Sequence, residues 1–145
     1  MFKHILVPHD GSELSQKAAQ AAVEFAKSVG AKITVFYAQE QPQPADFRFN
    51  SNPLPPAQFR ADEESRAKAI AAAVEAIAKA AGVSCGSATL AASAPFEAIV
   101  KAARDNGCDL SFMASHGRKG FSALVIGSET YKVLTHCTIP VMVYR

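Results

Sequence analysis

Short unbroken apolar runs alternate along this chain with stretches in which apolar residues recur every three or four positions. The first pattern suits strands buried on both faces, the second amphipathic helices. Residues 3–8 carry His4-Ile5-Leu6-Val7 and stop at Pro8, which predicts a short buried strand. Asp10-Gly11-Ser12 then supplies turn and helix-start chemistry. Over residues 13–29, Leu14, Ala18, Ala21, Ala22, Phe25, Ala26 and Val29 follow helical spacing, and Gly30 is a natural stop. Residues 33–38 are β-branched and aromatic and predict a second strand.

Residues 39–57 contain Pro42, Pro44, Pro53, Pro55 and Pro56, which forbid regular structure and predict a mobile connector. Residues 58–81 are strong helix formers with interspersed charges, giving the longest helix. Residues 83–91 form a third strand, weakly patterned because Ser, Ala and Gly dominate it. Pro95 opens a helix that runs to about residue 104 and ends at Asn106-Gly107. Residues 110–114 form a fourth strand and residues 128–134 a last helix. The stretch from Ile139 to Tyr144 is a final strand, and Pro140 near its start marks an edge. Strict alternation of strand and helix predicts an α/β fold: an open, doubly wound, Rossmann-like sheet of five parallel strands with helices on both faces.

A chain of 145 residues is the size of one domain, so residues 1–145 are expected to form a single one. With 49% hydrophobic and 19% charged residues, the composition is globular rather than disordered. A net charge of +2 gives no basis for a nucleic-acid or anionic-membrane partner. The apolar stretch at the N-terminus is too short for a signal peptide, and no run approaches the roughly 20 residues that span a bilayer. A cytoplasmic protein is the expectation. Cys85, Cys108 and Cys137 are odd in number and widely spaced, as free thiols in a reducing compartment would be, and no Cys/His cluster suggests zinc.

In an open parallel sheet, ligands bind beyond the carboxyl ends of the strands. Three segments lie there: Pro8-His9-Asp10, Tyr37-Ala38 and the run that opens with Met113-Ala114-Ser115-His116-Gly117. The last continues through Arg118-Lys119-Gly120 to Gly127-Ser128-Glu129-Thr130. Glycines let backbone approach anionic oxygens, and a helix opening at Gly127-Ser128 offers free N–H groups and a positive dipole end. Ser128 and Thr130 add hydroxyls, and Arg118 and Lys119 add positive charge. Neither the Walker A nor the dinucleotide Gly-x-Gly-x-x-Gly pattern occurs. On these residues alone, phosphate binding stands beside a plainer account, a tight turn before an ordinary helix cap. His116 has no catalytic partner at any informative spacing and suits a residue that shapes the turn. His4, His9 and His136 suit structural or exposed positions, and Ser12 and Ser15 suit capping.

The stretches Ile-Leu-Val-Pro-x-Asp-Gly-Ser, Ser-His-Gly-Arg-x-Gly and Ile-Pro-Val-x-Val resemble, across nearly the whole chain, universal stress proteins of the short single-domain type. ATP-binding members of that family carry Gly-x-x-Gly, nine residues, then Gly-Ser/Thr. Here the register is Ala114-x-x-Gly117, nine residues, then Gly127-Ser128, so the first position departs. A glycine there would permit positive φ, which alanine would take up only with strain. The resemblance implies a stress-response module that binds ATP or another adenine nucleotide, with Mg²⁺. The base would rest near Pro8, Asp10, Ala38 and Met113. The phosphates would rest on Gly117, Gly127 and Ser128, and Ala114, His116, Arg118, Gly120, Glu129 and Thr130 would complete the nucleotide site. It also implies a homodimer through the last strand, which agrees with that strand's edge character. The Pro-rich connector has a second reading as a lid over the nucleotide. No general base is identifiable, so any ATP hydrolysis is expected to be slow. Two alternatives remain: an interaction module that has lost nucleotide through Ala114, and an adenylating enzyme of the wider superfamily.

Overall fold

The computed structural model describes residues 1–41, 55–118 and 125–145. Its elements run β1 (His4–Pro8), α1 (Glu13–Val29), β2 (Lys32–Gln39), α2 (Pro56–Ala81), β3 (Cys85–Ala91), α3 (Pro95–Asp105), β4 (Leu110–Ala114), α4 (Ser128–His136) and β5 (Val141–Tyr144). All strand pairs are parallel, in the order β3-β2-β1-β4-β5.

Local chemistry sets most boundaries. Ser12 caps α1 by accepting the Ser15 N–H, and Gly30 ends the helix in the left-handed region at φ 69°. Helix α2 starts at Pro56, two residues before the sequence expectation. Proline fits a first helical position because that turn's N–H has no helical acceptor to reach. Strand β3 begins at Cys85 rather than 83. Val83 instead gives its N–H to Ala78 O, closing the end of α2. Helix α4 continues to His136, and β5 starts only after Pro140, whose carbonyl accepts the Ser111 N–H. Strand β5 does lie at the sheet edge.

The sheet buries both faces. On one face Ile5, Val7, Ile33, Val35, Leu110 and Phe112 pack against α1 and α2. On the other, Leu6, Phe36 and Met113 pack against Ala98, Ile99, Ala102 and Ala103 of α3 and Val133 of α4. The unbroken apolar runs follow from this two-sided burial. Cys85, Cys108 and Cys137 are free thiols, and burial pushes Cys108 up to about 11, which leaves it protonated and unreactive. Among the described residues, no helix is long and apolar enough to cross a membrane.

This topology positions the candidate site. From β1 the chain turns to β2 on one side, while β4 pairs with β1 on the other. The carboxyl ends of β1 and β4 thus flank the point where strand order reverses, the crevice in which such sheets hold ligands.

Candidate functional site

The site is built on two loop starts tied together by one carboxylate. Past the end of β1, Asp10 Oδ1 accepts the Ser12 N–H at 3.0 Å, closing an Asx turn ahead of α1. Its Oδ2 accepts the Arg118 N–H at 2.8 Å, across 108 positions of sequence. The α1 cap itself is Ser12. Burial by itself would raise the Asp10 pKa, but the hydrogen bonds from Ser12 and Arg118 outweigh it and hold the carboxyl below its ordinary value.

The need for glycine at position 117 is one of space. A Cβ there would collide with the Asp10 carboxylate, and its φ is not in the left-handed region. Gly127 is similar, with ordinary φ of −61°. Its Cβ would lie 3.1 Å from the His116 Cα, tighter than an ordinary contact, so that backbone would have to give way. Close approach, one of the two reasons for glycine in such a loop, is the one that applies here. The left-handed glycine of this region is Gly11, at φ 85° in the β1–α1 turn.

The β4 end holds both feet of the loop. Ser115 gives its N–H to Tyr144 O at 2.7 Å, and its carbonyl accepts the Gly127 N–H at 2.8 Å. The buried Thr130 hydroxyl donates to Ala114 O at 3.0 Å. Ala114 is an ordinary strand residue paired in register with Tyr144. Its methyl group lies in the core layer with α1, and no described non-glycine residue has positive φ. Alanine therefore causes no backbone strain at this departure from the glycine pattern.

Helix α4 opens on Gly127, which is held to Ser115 O at the end of β4 and supplies no side-chain cap to the first-turn N–H groups. Ser128 is exposed at this opening. Glu129 points elsewhere: its Oε2 accepts the Phe96 N–H at 2.9 Å, capping α3, while Lys132 sits 3.1 Å from its Oε1. His116 lies within 3.2 Å of the Ser115 hydroxyl. Pro8 and Met113 are buried at the ends of their strands, and Ala38 is half-buried at the end of β2. Gly120 and Lys119, with most of the Pro-rich segment, lie outside the described residues.

His9 is structural. It is buried, its Nδ1 accepts the Gly11 N–H at 3.0 Å, and its Nε2 lies 3.0 Å from Gln16 Oε1. A backbone donor at Nδ1 places the proton on Nε2. Burial lowers its pKa, so the ring is neutral near pH 7.

A second network, past the end of β2, is invisible in the linear chain. Glu63 of α2 is 5% exposed, and its Oε2 accepts the Tyr37 hydroxyl at 2.9 Å and the Glu40 N–H at 2.7 Å. Arg66 pairs with its Oε1 at 3.0 Å. Glu40, fixed in this way, meets Arg118 Nη2 through its Oε1 at 3.3 Å. In the sequence, Glu63 is one of several charges on a polar helix, and nothing there separates it from its neighbours.

The sequence model described as the universal stress protein family matches residues 1–145. The chain belongs to the universal stress protein family. A universal stress protein from Thermus aquaticus is 34% identical over 146 residues, covering 100% of each chain. The structure of protein MJ0577, from Methanocaldococcus jannaschii, superposes with a TM-score of 0.82 at 23% identity, covering 99% of this chain and 95% of that one. A universal stress protein solved in complex with cAMP gives a TM-score of 0.74 at 24% identity over 99% of this chain and 97% of that one. The shared fold is an α/β five-stranded parallel sheet with two helices on each face.

Proposed function

We propose that this universal stress protein binds an adenine nucleotide across the carboxyl ends of β1 and β4 and acts as a nucleotide-dependent regulatory module. The uncapped N-terminus of α4 carries the reading. It starts beside the end of β4 at the switch point, and first-turn N–H groups and the helix dipole favour an anion. Gly117 and Gly127 leave the backbone bare at the two feet of the loop, and Arg118, next to Gly117, carries a guanidinium that now meets Glu40. A structural relative holds cAMP, an adenine nucleotide with one phosphate. Strain-free backbone at Ala114 supports retained binding over the module that has lost its ligand.

In this reading, Gly117, Gly127, Ser128 and Arg118 receive phosphate, and Pro8, Asp10, Ala38 and Met113 border the base and ribose. Glu129 serves the site indirectly by fixing α4 against α3, and Thr130 does so by holding the loop foot to β4. Among the described residues, no group of three His, Cys, Asp or Glu side chains could hold a metal. Mg²⁺ would therefore be carried by ATP phosphates, where it neutralises their charge. His9 and Asp10 are both committed to the β1–α1 turn, which fits a binding module with slow hydrolysis at most. Calorimetric titration with ATP and AMP in the presence of Mg²⁺ tests this. Saturable one-site binding is expected, and no heat at millimolar nucleotide would overturn it.

A second reading concerns assembly. Strand β5 is an edge of half-buried Val141, Met142, Val143 and Tyr144, and such an edge invites pairing with another chain. We read it as the seam of a homodimer, with the two β5 strands antiparallel about a two-fold axis.

A further inference from the structure

Arg118 lies at the start of the segment that joins β4 to α4, yet two carboxylates of this same chain hold it. Asp10 takes its backbone N–H at 2.8 Å, and Glu40 takes its side chain at 3.3 Å. The Glu40 position is not accidental. Its own N–H is held at 2.7 Å by the buried Glu63 carboxylate, which Tyr37 and Arg66 hold in turn. A chain of contacts thus runs from α2 through Glu63 and Glu40 to the start of the phosphate-facing loop. The Arg118–Glu40 pair is half-exposed, at 38% and 46%, so solvent screens it and a better anion can break it.

Resting on the nucleotide reading above, we propose that Glu40 is a specificity-determining residue: its carboxylate competes with ligand phosphate for Arg118, weakening binding more as the ligand's negative charge grows. A phosphate drawing the guanidinium into a charge-assisted contact competes with Glu40 Oε1, which already holds Nη2. The carboxylate then remains nearby, and like charge opposes each further phosphate. Adenosine neither needs Arg118 nor feels the repulsion. The site is thereby tuned towards nucleotides with few phosphates, and Glu63 acts as a positioning residue that keeps Glu40 facing Arg118.

The test is a titration of adenosine, AMP and ATP into wild type, Glu40→Gln, Arg118→Ala and the double variant, at fixed ionic strength and Mg²⁺. Glu40→Gln should leave adenosine affinity unchanged. It should tighten AMP by about threefold, the scale of a half-exposed ion pair, and ATP by more. In the Arg118→Ala background the gain should vanish, because the backbone N–H to Asp10 persists while the contested guanidinium is gone. Equal changes for all three ligands, no change, or weaker ATP binding in Glu40→Gln overturns the role of Glu40 while leaving the nucleotide site intact. A wild-type protein that takes none of the three overturns both.

Discussion

Asp10, Gly117 and Ala114 carry the chemistry at the scale of single residues. The Asp10 carboxylate occupies the space that a side chain at 117 would need. Gly117→Ala should therefore break the Asp10–Arg118 contact, costing about 1–2 kcal/mol and weakening nucleotide binding, measured by urea denaturation and calorimetry. Ala114→Gly should behave oppositely to a restored signature. It removes a core methyl group and loosens the strand, so it should cost about 1 kcal/mol and give no gain in affinity. His9 makes the structure sensitive to pH. Its native pKa lies below the ordinary value of about 6.5. The unfolded chain therefore takes up the proton first as pH falls. His9's contribution to stability is complete above about 6.5 and is lost as pH drops towards the depressed native value. Denaturation midpoints at pH 7.5 and 5.5 should differ, and His9→Gln should narrow the difference. His4 shares the same direction of shift, so part of the difference should survive that substitution.

Among the elements, α1 was the most legible. Its apolar spacing, its Ser12 cap and its Gly30 stop all act within a few residues, and the structure uses each as the sequence suggests. Ser12→Ala removes the side-chain oxygen that accepts the Ser15 N–H and should cost about 1 kcal/mol, read as a lowered urea midpoint with an unchanged slope. Helix α4 was legible as a helix but not in its side-chain roles. Glu129 and Thr130 look like ligand groups in a linear reading because both sit in the first turn beside Ser128. A helical turn points them apart. Glu129 reaches the start of α3 and Thr130 the carbonyl of Ala114. Strand β3 was the weakest pattern because it is an edge with alternating half-exposed positions, where small and polar residues are tolerated.

At the scale of the whole molecule, the two sheet edges differ in consequence. Pro140 O and Tyr144 O both accept from β4, so Met142 shares their direction and the backbone of Val141 and Val143 faces the free edge. Val143→Pro should remove an N–H from that edge without touching the β4 ladder. Light scattering should then show a monomer, against a dimer for the wild type if β5 is the proposed seam, with the fold retained by circular dichroism. A monomeric wild type would remove the β5 seam from consideration. By itself, the sequence determined the elements, their parallel arrangement and the family register, because periodicity, caps and turn residues act over a few positions. Only the tertiary structure decided why Gly117 must be glycine, why Ala114 is harmless, and that Glu63 and Glu40 bear on Arg118. Each of those facts depends on backbones far apart in the chain being brought side by side by the sheet.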